Sequence, residues 1–230
     1  MKHAFGKTVV VALGGSVVHP DAIDVPFLRH FQKFLQPFLR KGHKFVIVVG
    51  GGRLARLFQD AAHRVSRLAD EDKDWLGIHS TRLNAHLLRT IFRKIADPVI
   101  VDEPDKVRPP KYSVTIASGW RPGWSTDYIA VAIAEQLAVK EVIIAGKPAY
   151  VFDKDPHKWS GAKPFRELSW PDYRKLIPSE WKPGLHSPVD PVAAKLAHKR
   201  EIDAVIINGR DLKNFTNLLN GKKFEGTIIR

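Results

Sequence analysis

Short apolar runs alternate with longer amphipathic segments along most of this chain. The runs Thr8–Leu13 and Lys44–Val49 are almost entirely apolar, as expected for strands buried on both faces of a parallel sheet. Between them, apolar side chains recur at helical spacing at Phe27, Phe31, Phe34, Leu35 and Phe38. This alternation predicts an α/β fold, a three-layer αβα sandwich with a mainly parallel central sheet.

The remaining pattern predicts further elements of the same kind. Residues 75–95 indicate a long helix that follows an acidic turn at 70–74, and residues 99–101 indicate a short strand. Prolines and tryptophans interrupt residues 146–184, which predicts loops, short strands and one short helix. Asp190-Pro191 then starts a clean helix, with the aspartate as N-cap.

Three glycine-bearing loops each follow a predicted strand: Gly14-Gly15-Ser16, Gly50 to Gly52, and Gly119 to Gly123. In a parallel sheet such loops emerge at the same edge, where ligands bind. Glycine allows the backbone to approach an anion closely and exposes N–H donors. Each loop alone also fits an ordinary crossover turn, but the three together predict a phosphate site.

The third loop, residues 118–127 (SGWRPGWSTD), joins a strand predicted at 111–117 to a helix. Ser125 or Thr126 can cap that helix, and Asp127 falls in its first turn. A helix N-terminus attracts negative charge. The junction therefore favours phosphate binding.

Composition excludes several classes of protein. The chain has no cysteine, which excludes disulfides and thiolate chemistry, and 37 basic against 24 acidic residues give a net charge of +13. This charge favours anionic ligands, but the basic residues are scattered, so no nucleic-acid partner is expected.

No membrane span and no secretory signal stand out, and a cytoplasmic location is expected. The P-loop, Rossmann and G-x-S-x-G fingerprints are absent.

Six strings in their order along the chain carry a family resemblance. They are LGGSVV from Leu13, VVGGGRLAR from Val48, DWLGIHSTRLNAHLL from Asp74, PGWSTDYIAVAIAEQ from Pro122, VFDKDP from Val151 and VDPVAAKLA from Val189. Over nearly its whole length the chain resembles the amino acid kinase superfamily, and within it the archaeal-type uridylate (UMP) kinases. The resemblance implies transfer of the γ-phosphoryl of ATP to UMP to give UDP in pyrimidine biosynthesis, with Mg²⁺.

The resemblance also implies roles for individual residues. Arg56 and Asp127 match the reaction centre. The residues assigned to ATP binding are Gly14, Gly15, Ser16, Gly52, Arg56, Gly146, Lys147, Phe152 and Asp155. Those matching UMP contacts are Gly51, Asp74, Trp120, Arg121, Pro122, Gly123, Trp124, Ser125 and Thr126. No metal ligand is assigned.

At the level of the whole chain, the resemblance implies one domain over residues 1–230. Within it, residues 1–140 mainly bind the acceptor UMP, and residues 141–230 mainly bind ATP. The partners are small nucleotides, with neither nucleic acid nor membrane, and the assembly is a homo-oligomer, by analogy a hexamer.

Departures from the family pattern keep alternatives open. Residues 146–152 (GKPAYVF) replace a Thr-Asn/Asp-x-Asp-Gly-x-Tyr string on the donor side, and Trp120 and Trp124 replace smaller residues on the acceptor side. A divergent protein that binds a nucleotide or another anion without kinase activity is one alternative. A kinase of another small acceptor is a second. Arg56 could instead be a solvated helix residue, and Asp74 a helix cap.

Overall fold

The computed structural model describes residues 3–156, 158–180 and 187–230. The strands are β1 Thr8–Leu13, β2 Lys44–Val49, β3 Val114–Ala117, β4 Glu141–Gly146, β5 Val151–Phe152, β6 Pro164–Phe165, β7 Glu167–Leu168, β8 Asp203–Asn208 and β9 Thr227–Ile229. The helices are α1 Gly15–Val18, α2 Val25–Arg40, α3 Gly52–Val65, α4 Asp70–Ile91, α5 Thr126–Gln136, α6 Trp170–Leu176, α7 Pro191–Arg200 and α8 Leu212–Leu219. Among these helices, none is both long and apolar enough to cross a membrane.

Seven strands form the central sheet, in the order β3-β2-β1-β4-β8-β9-β7. Every neighbouring pair is parallel except β8 and β9, which are antiparallel. Strands β5 and β6 form a separate antiparallel pair, attached to the main sheet through a hydrogen bond from the Val151 N–H to the Thr227 hydroxyl (2.9 Å). The prediction of an α/β fold with a mainly parallel sheet is confirmed.

Successive residues of β1 enter different cores, which explains why the strand is apolar throughout. Val9 and Val11 pack with side chains of α2, α4 and α8 on one face of the sheet. Val10 and Ala12 pack with α5, α6 and α7 on the other face. Helices therefore cover both faces, as the predicted three-layer sandwich requires.

The structure corrects four predictions, one of which is the strand at 111–117, which begins only at Val114. Residues 70–74 are the first turn of α4 and not a separate acidic turn, and the helix ends at Ile91 instead of residue 95. Residues 99–101 form no strand, because only Val101 pairs with the sheet, in an isolated bridge to Ala117. The predicted loops, short strands and short helix of residues 146–184 appear as β5 to β7 and α6, while residues 181–184 lie outside the described residues.

Candidate functional site

The glycine loops meet at the carboxyl edge of the sheet, as their placement after parallel strands predicts. The Gly14 N–H at the end of β1 donates to the Ala145 carbonyl of β4 (2.9 Å). The Gly209 N–H after β8 donates to the Gly146 carbonyl (2.8 Å). The ends of β1, β4 and β8 are thus joined by backbone hydrogen bonds, which bring Gly14 beside Gly146.

Gly15 and Gly52 bring the first two loops into direct backbone contact. A Cβ atom on Gly15 would lie 2.1 Å from the Gly52 nitrogen, and one on Gly52 would lie 2.4 Å from the Gly15 oxygen. Gly52 also has a φ of +65°, in the left-handed region that favours glycine. These glycines are therefore required for the loops to pack together, in addition to any approach to a ligand.

The three loops present backbone N–H groups that have no acceptor. Within the described residues, the amides of Gly15, Ser16, Gly51, Gly52, Thr126 and Asp127 donate to no other protein group. Those of Gly52, Thr126 and Asp127 lie in the first turns of α3 and α5, where the helix dipole is positive. An anion bound at this edge would provide the missing acceptors.

One helix holds two of the loops in place. The Asn84 side-chain amide of α4 donates to the carbonyls of Gly50 (2.8 Å) and Gly51 (3.1 Å). Three residues earlier, the Thr81 hydroxyl accepts from the Gly119 N–H (2.7 Å) and donates to the Ile78 carbonyl (2.6 Å). Both side chains are buried, so these hydrogen bonds form in a weakly solvated environment.

We expect Thr81→Val to destabilise the fold by about 1–3 kcal/mol, because the buried Gly119 N–H then loses its acceptor. Thr115→Val is the matched control. Both threonines are 6% exposed, but the Thr115 hydroxyl has no partner among the described residues. Urea unfolding should show the loss for Thr81→Val and almost none for Thr115→Val. Equal losses would contradict the role given to the Thr81 hydrogen bond.

Asp74 contacts the third loop directly. Its carboxylate accepts from the Gly123 N–H (2.8 Å), where Gly123 adopts a φ of +81°. Burial raises the pKa of Asp74, the Gly123 N–H opposes that shift, and the charge of Asp70 adds to it. Asp74 lies in the second turn of α4, whose N-cap is Ala69, so the alternative that it caps this helix is wrong.

The two tryptophans of the third loop have different environments. Trp120 is 5% exposed, belongs to the core, and its indole N–H donates to the Val101 carbonyl (3.2 Å). Trp124 is partly exposed, with the Arg121 guanidinium 3.6 Å from its ring centroid and the Tyr128 ring 4.7 Å away. Of the two rings, only Trp124 is placed to meet a ligand at the surface.

Asp127 lies beside a second aspartate at the start of α7. The Asp190 backbone N–H faces the Asp127 carboxyl, and the Asp190 carboxylate accepts from the Ser125 hydroxyl. Burial and then the charge of Asp190 raise the pKa of Asp127 to about 8. Tyr173 of α6 also faces this pair, and burial is the main cause that raises its pKa.

The raised pKa of Asp127 predicts a pH-dependent stability. Between about pH 4 and about pH 8 the native state keeps a proton that the unfolded chain has lost, so its free energy of unfolding falls as pH rises through this window. The Asp127→Asn variant has no ionisable group at this position, so this fall in its free energy of unfolding should not occur. Denaturant unfolding near pH 5 and near pH 8.5 should therefore show the variant gaining stability relative to the wild type. If the difference in unfolding free energy between variant and wild type were the same at both pH values, the raised pKa of Asp127 would be contradicted.

The other sequence-predicted residues occupy defined places. Arg56 is partly exposed, one turn after Gly52 on α3, and its side chain forms no hydrogen bond or ion pair with the described residues. Lys147 is exposed directly after β4. Phe152 belongs to β5, and Asp155 lies in the turn that follows. Ser16 is inside α1, while Ser125 is the N-cap of α5.

Sequence reasoning gave no role to Thr81 and Asn84, and assigned Asp190 only as a helix cap. A signal was available for the first two. Thr81 and Asn84 lie three residues apart among the apolar side chains of one helix face, where an unpartnered polar group would be costly. No comparable signal marks Asp190, because its partner Ser125 is 65 residues away.

A comparison with known protein families identifies the family of this chain. The family model described as the amino acid kinase family matches residues 7–101 and 111–208. The chain therefore belongs to the amino acid kinase family.

Its relatives narrow the class further. The chain is 33% identical to a uridylate kinase of Thermococcus sibiricus over 224 residues, which covers 96% of this chain and 98% of that protein. It is 34% identical to a uridylate kinase of Methanosarcina barkeri over 209 residues, which covers 88% of this chain and 87% of that protein. The crystal structure of uridylate kinase from Archaeoglobus fulgidus superposes with a TM-score of 0.82 at 27% identity, covering all of both chains. The resemblance to archaeal uridylate kinases is confirmed.

Proposed function

We propose that this protein transfers the γ-phosphoryl group of ATP to UMP, giving UDP and ADP. The observation that supports this most directly is the set of unpartnered amides that the three loops present at one sheet edge. A monophosphate and a triphosphate that meet there would supply acceptors to these groups. The relatives are named uridylate kinases, which supports UMP as the acceptor.

In this proposal each of the two nucleotides is bound mainly by a different region of the chain. Residues 1–140 mainly bind UMP, and residues 141–230 mainly bind ATP. Gly51, Asp74 and residues 120–126 form the UMP side. The contact from Asp74 to Gly123 joins that loop to the carboxylate that would accept the ribose hydroxyls. On the ATP side lie Gly14, Gly15, Ser16, Gly52, Arg56, Gly146, Lys147, Phe152 and Asp155.

Phosphoryl transfer requires positioning and charge neutralisation, because there is little covalent work for the protein to do. The amides of Gly15 and Gly52 would hold the transferring group between the first two loops. Arg56, without a protein partner among the described residues, would stabilise the charge that develops on its oxygens. Asp127 would orient groups at the reaction centre from the N-terminus of α5.

A magnesium ion fits this site as a companion of ATP. Mg²⁺ is usually held by substrate phosphates and waters with few protein carboxylates. Among the described residues, no cluster of three acidic or histidine side chains could enclose a metal, and the loops offer amides instead. When bound with ATP, the ion would neutralise phosphate charge. No residue of this chain is assigned as its ligand.

A coupled assay of ADP release tests the proposal, with ATP and Mg²⁺ and with UMP, CMP or AMP as acceptor. We expect turnover on UMP well above the other two. No turnover on any acceptor, together with ATP binding by calorimetry, would favour the divergent binding protein. Failure to bind ATP would indicate that the altered segment from Gly146 to Ala149 has lost the donor site.

We also propose a homo-oligomer, hexameric as the resemblance implies. Helix α3 has no buried residue, and its Phe58 and Val65 are 57% and 89% exposed. Trp75 and Leu83 of α4 add further exposed apolar surface. Light scattering should give a multiple of 25.9 kDa, and Phe58→Glu combined with Leu83→Glu should reduce it. A monomeric wild type would overturn this.

A further inference from the structure

Two helix caps are joined by one hydrogen bond beside the candidate site. The Ser125 hydroxyl caps α5 by accepting from the Tyr128 N–H (3.0 Å). The Asp190 carboxylate caps α7 by accepting from the N–H groups of Val192 (2.8 Å) and Ala193 (3.0 Å). The Ser125 hydroxyl then donates to the second oxygen of the Asp190 carboxylate, which links the caps.

The surroundings of this link hold Asp190 in place. Asp190 is 4% exposed, and the residue before it, Val189, is bound at both backbone groups by one side chain. The Tyr173 hydroxyl donates to the Val189 carbonyl (2.6 Å) and accepts from the Val189 N–H (2.7 Å). The capping aspartate therefore sits on a backbone segment that α6 holds from the other side.

The same aspartate also contacts the reaction centre. Its backbone N–H faces the carboxyl group of Asp127, two residues after Ser125, and opposes the rise in the pKa of that carboxyl. Asp190 thus holds the third loop through its side chain, while its main chain faces the carboxyl group of Asp127. Among the described residues, the charged or titratable groups that face Asp127 are Asp190 of α7 and Tyr173 of α6.

We propose that Asp190 is a positioning residue, which acts through Ser125 to hold the third loop and Asp127 in the geometry required for phosphoryl transfer. This inference rests on the proposed kinase function. The link joins the region of the chain that would bind UMP to the region that would bind ATP. Its loss would allow the loop to move relative to the donor, and small displacements of reacting groups lower rates strongly.

Asp190→Ala removes both the cap and the link, and we expect kcat to fall about 100-fold, with the KM for ATP changed by less than about threefold. Asp190→Asn retains an oxygen for the α7 amides and an N–H₂ group for the Ser125 hydroxyl. It should recover kcat to within about tenfold of the wild type. An asparagine variant as slow as the alanine variant would overturn the hydrogen-bond account.

The matched control is Asp211→Ala. Asp211 caps α8 by accepting from the Asn214 N–H (2.9 Å), on the opposite face of the sheet. That variant loses a helix cap of the same kind, yet kcat should stay within about twofold of the wild type. An equal loss in both alanine variants would show that Asp190 matters only as a helix cap.

A double-mutant cycle of Ser125→Ala and Asp190→Ala supplies a readout that does not need turnover. If the two side chains act as a unit, their effects on the free energy of unfolding will be clearly non-additive, and the double variant will lose no more kcat than the worse single variant. Additive unfolding energies would overturn the link. An inactive wild type with strong coupling would instead contradict the kinase proposal and leave the link supported.

Discussion

Gly52→Ala should destabilise the fold by roughly 2–5 kcal/mol and reduce kcat about 100-fold, the largest combined effect expected from one substitution. Two causes act together at this position. The φ of +65° is strained for alanine, and the new Cβ would lie 2.4 Å from the Gly15 oxygen and 2.8 Å from the His19 oxygen. Both neighbours are backbone atoms, so the first two loops must separate to accept it.

Gly42→Ala separates these two causes. Gly42 has a φ of +81°, and a Cβ atom built on it would meet nothing within 4 Å. This variant should lose only the conformational contribution, about 1–2 kcal/mol, and keep its activity. Thermal or denaturant unfolding with the UMP assay measures both. If the two variants lost equal stability, the contact between the loops would not contribute as described.

Arg56→Ala should lower kcat by about 10²-fold or more, with little change in stability. Arg56 follows Gly52 by four residues on α3, so its side chain lies on the helix face that begins at the glycine loop. It has no partner among the described residues, which makes its charge available to a phosphoryl group. Steady-state kinetics on UMP and ATP would measure the loss.

Arg64→Ala is the control for charge alone. Arg64 is an exposed residue in the last turn of the same helix, far from its N-terminus. It removes the same charge from α3 but should change kcat by less than about twofold. If both variants lost activity equally, a general field effect of α3 would explain the result better than a contact of Arg56 with the transferring group.

The sequence predicted the centre of the fold well, because burial on both faces requires apolar residues at every position. The bounds of β1 and β2 agree with the apolar runs Thr8–Leu13 and Lys44–Val49. The start of α7 was equally clear, since Asp190 caps it and Pro191 occupies its first position. In each case the signal lay in neighbouring residues, and no distant contact was needed to recognise it.

Predictions were wrong where local composition had two structural meanings. The acidic residues 70–74 suggested a turn, but acidic side chains also favour the first turn of a helix, and α4 begins there. Residues 99–101 looked like a strand by composition. Pro98 has no N–H to donate, and the Asp97 carboxylate accepts from the Val99 N–H (2.9 Å), which favours a turn.

The site was only partly predictable. The glycine loops follow predicted strands, so their meeting at one edge follows from a parallel sheet, and their role in ligand binding stays a prediction. The partners of the supporting side chains could not be predicted, because Thr81 and Gly119 are 38 residues apart and Ser125 and Asp190 are 65 apart. The burial of the Trp120 side chain in the core could not be predicted either, since an irregular loop has no periodicity that would indicate which side chains enter the core.

The spacing of Thr81 and Asn84 on one helix limits how this chain can vary in length. One residue inserted between them would turn Asn84 by about 100° around the helix axis and shift it by about 1.5 Å. The carbonyls of Gly50 and Gly51 would then lose their donor even if every side chain were kept. Length changes in this protein should therefore be tolerated in surface loops, while the segment from Thr81 to Asn84 should accept substitutions far more readily than insertions or deletions.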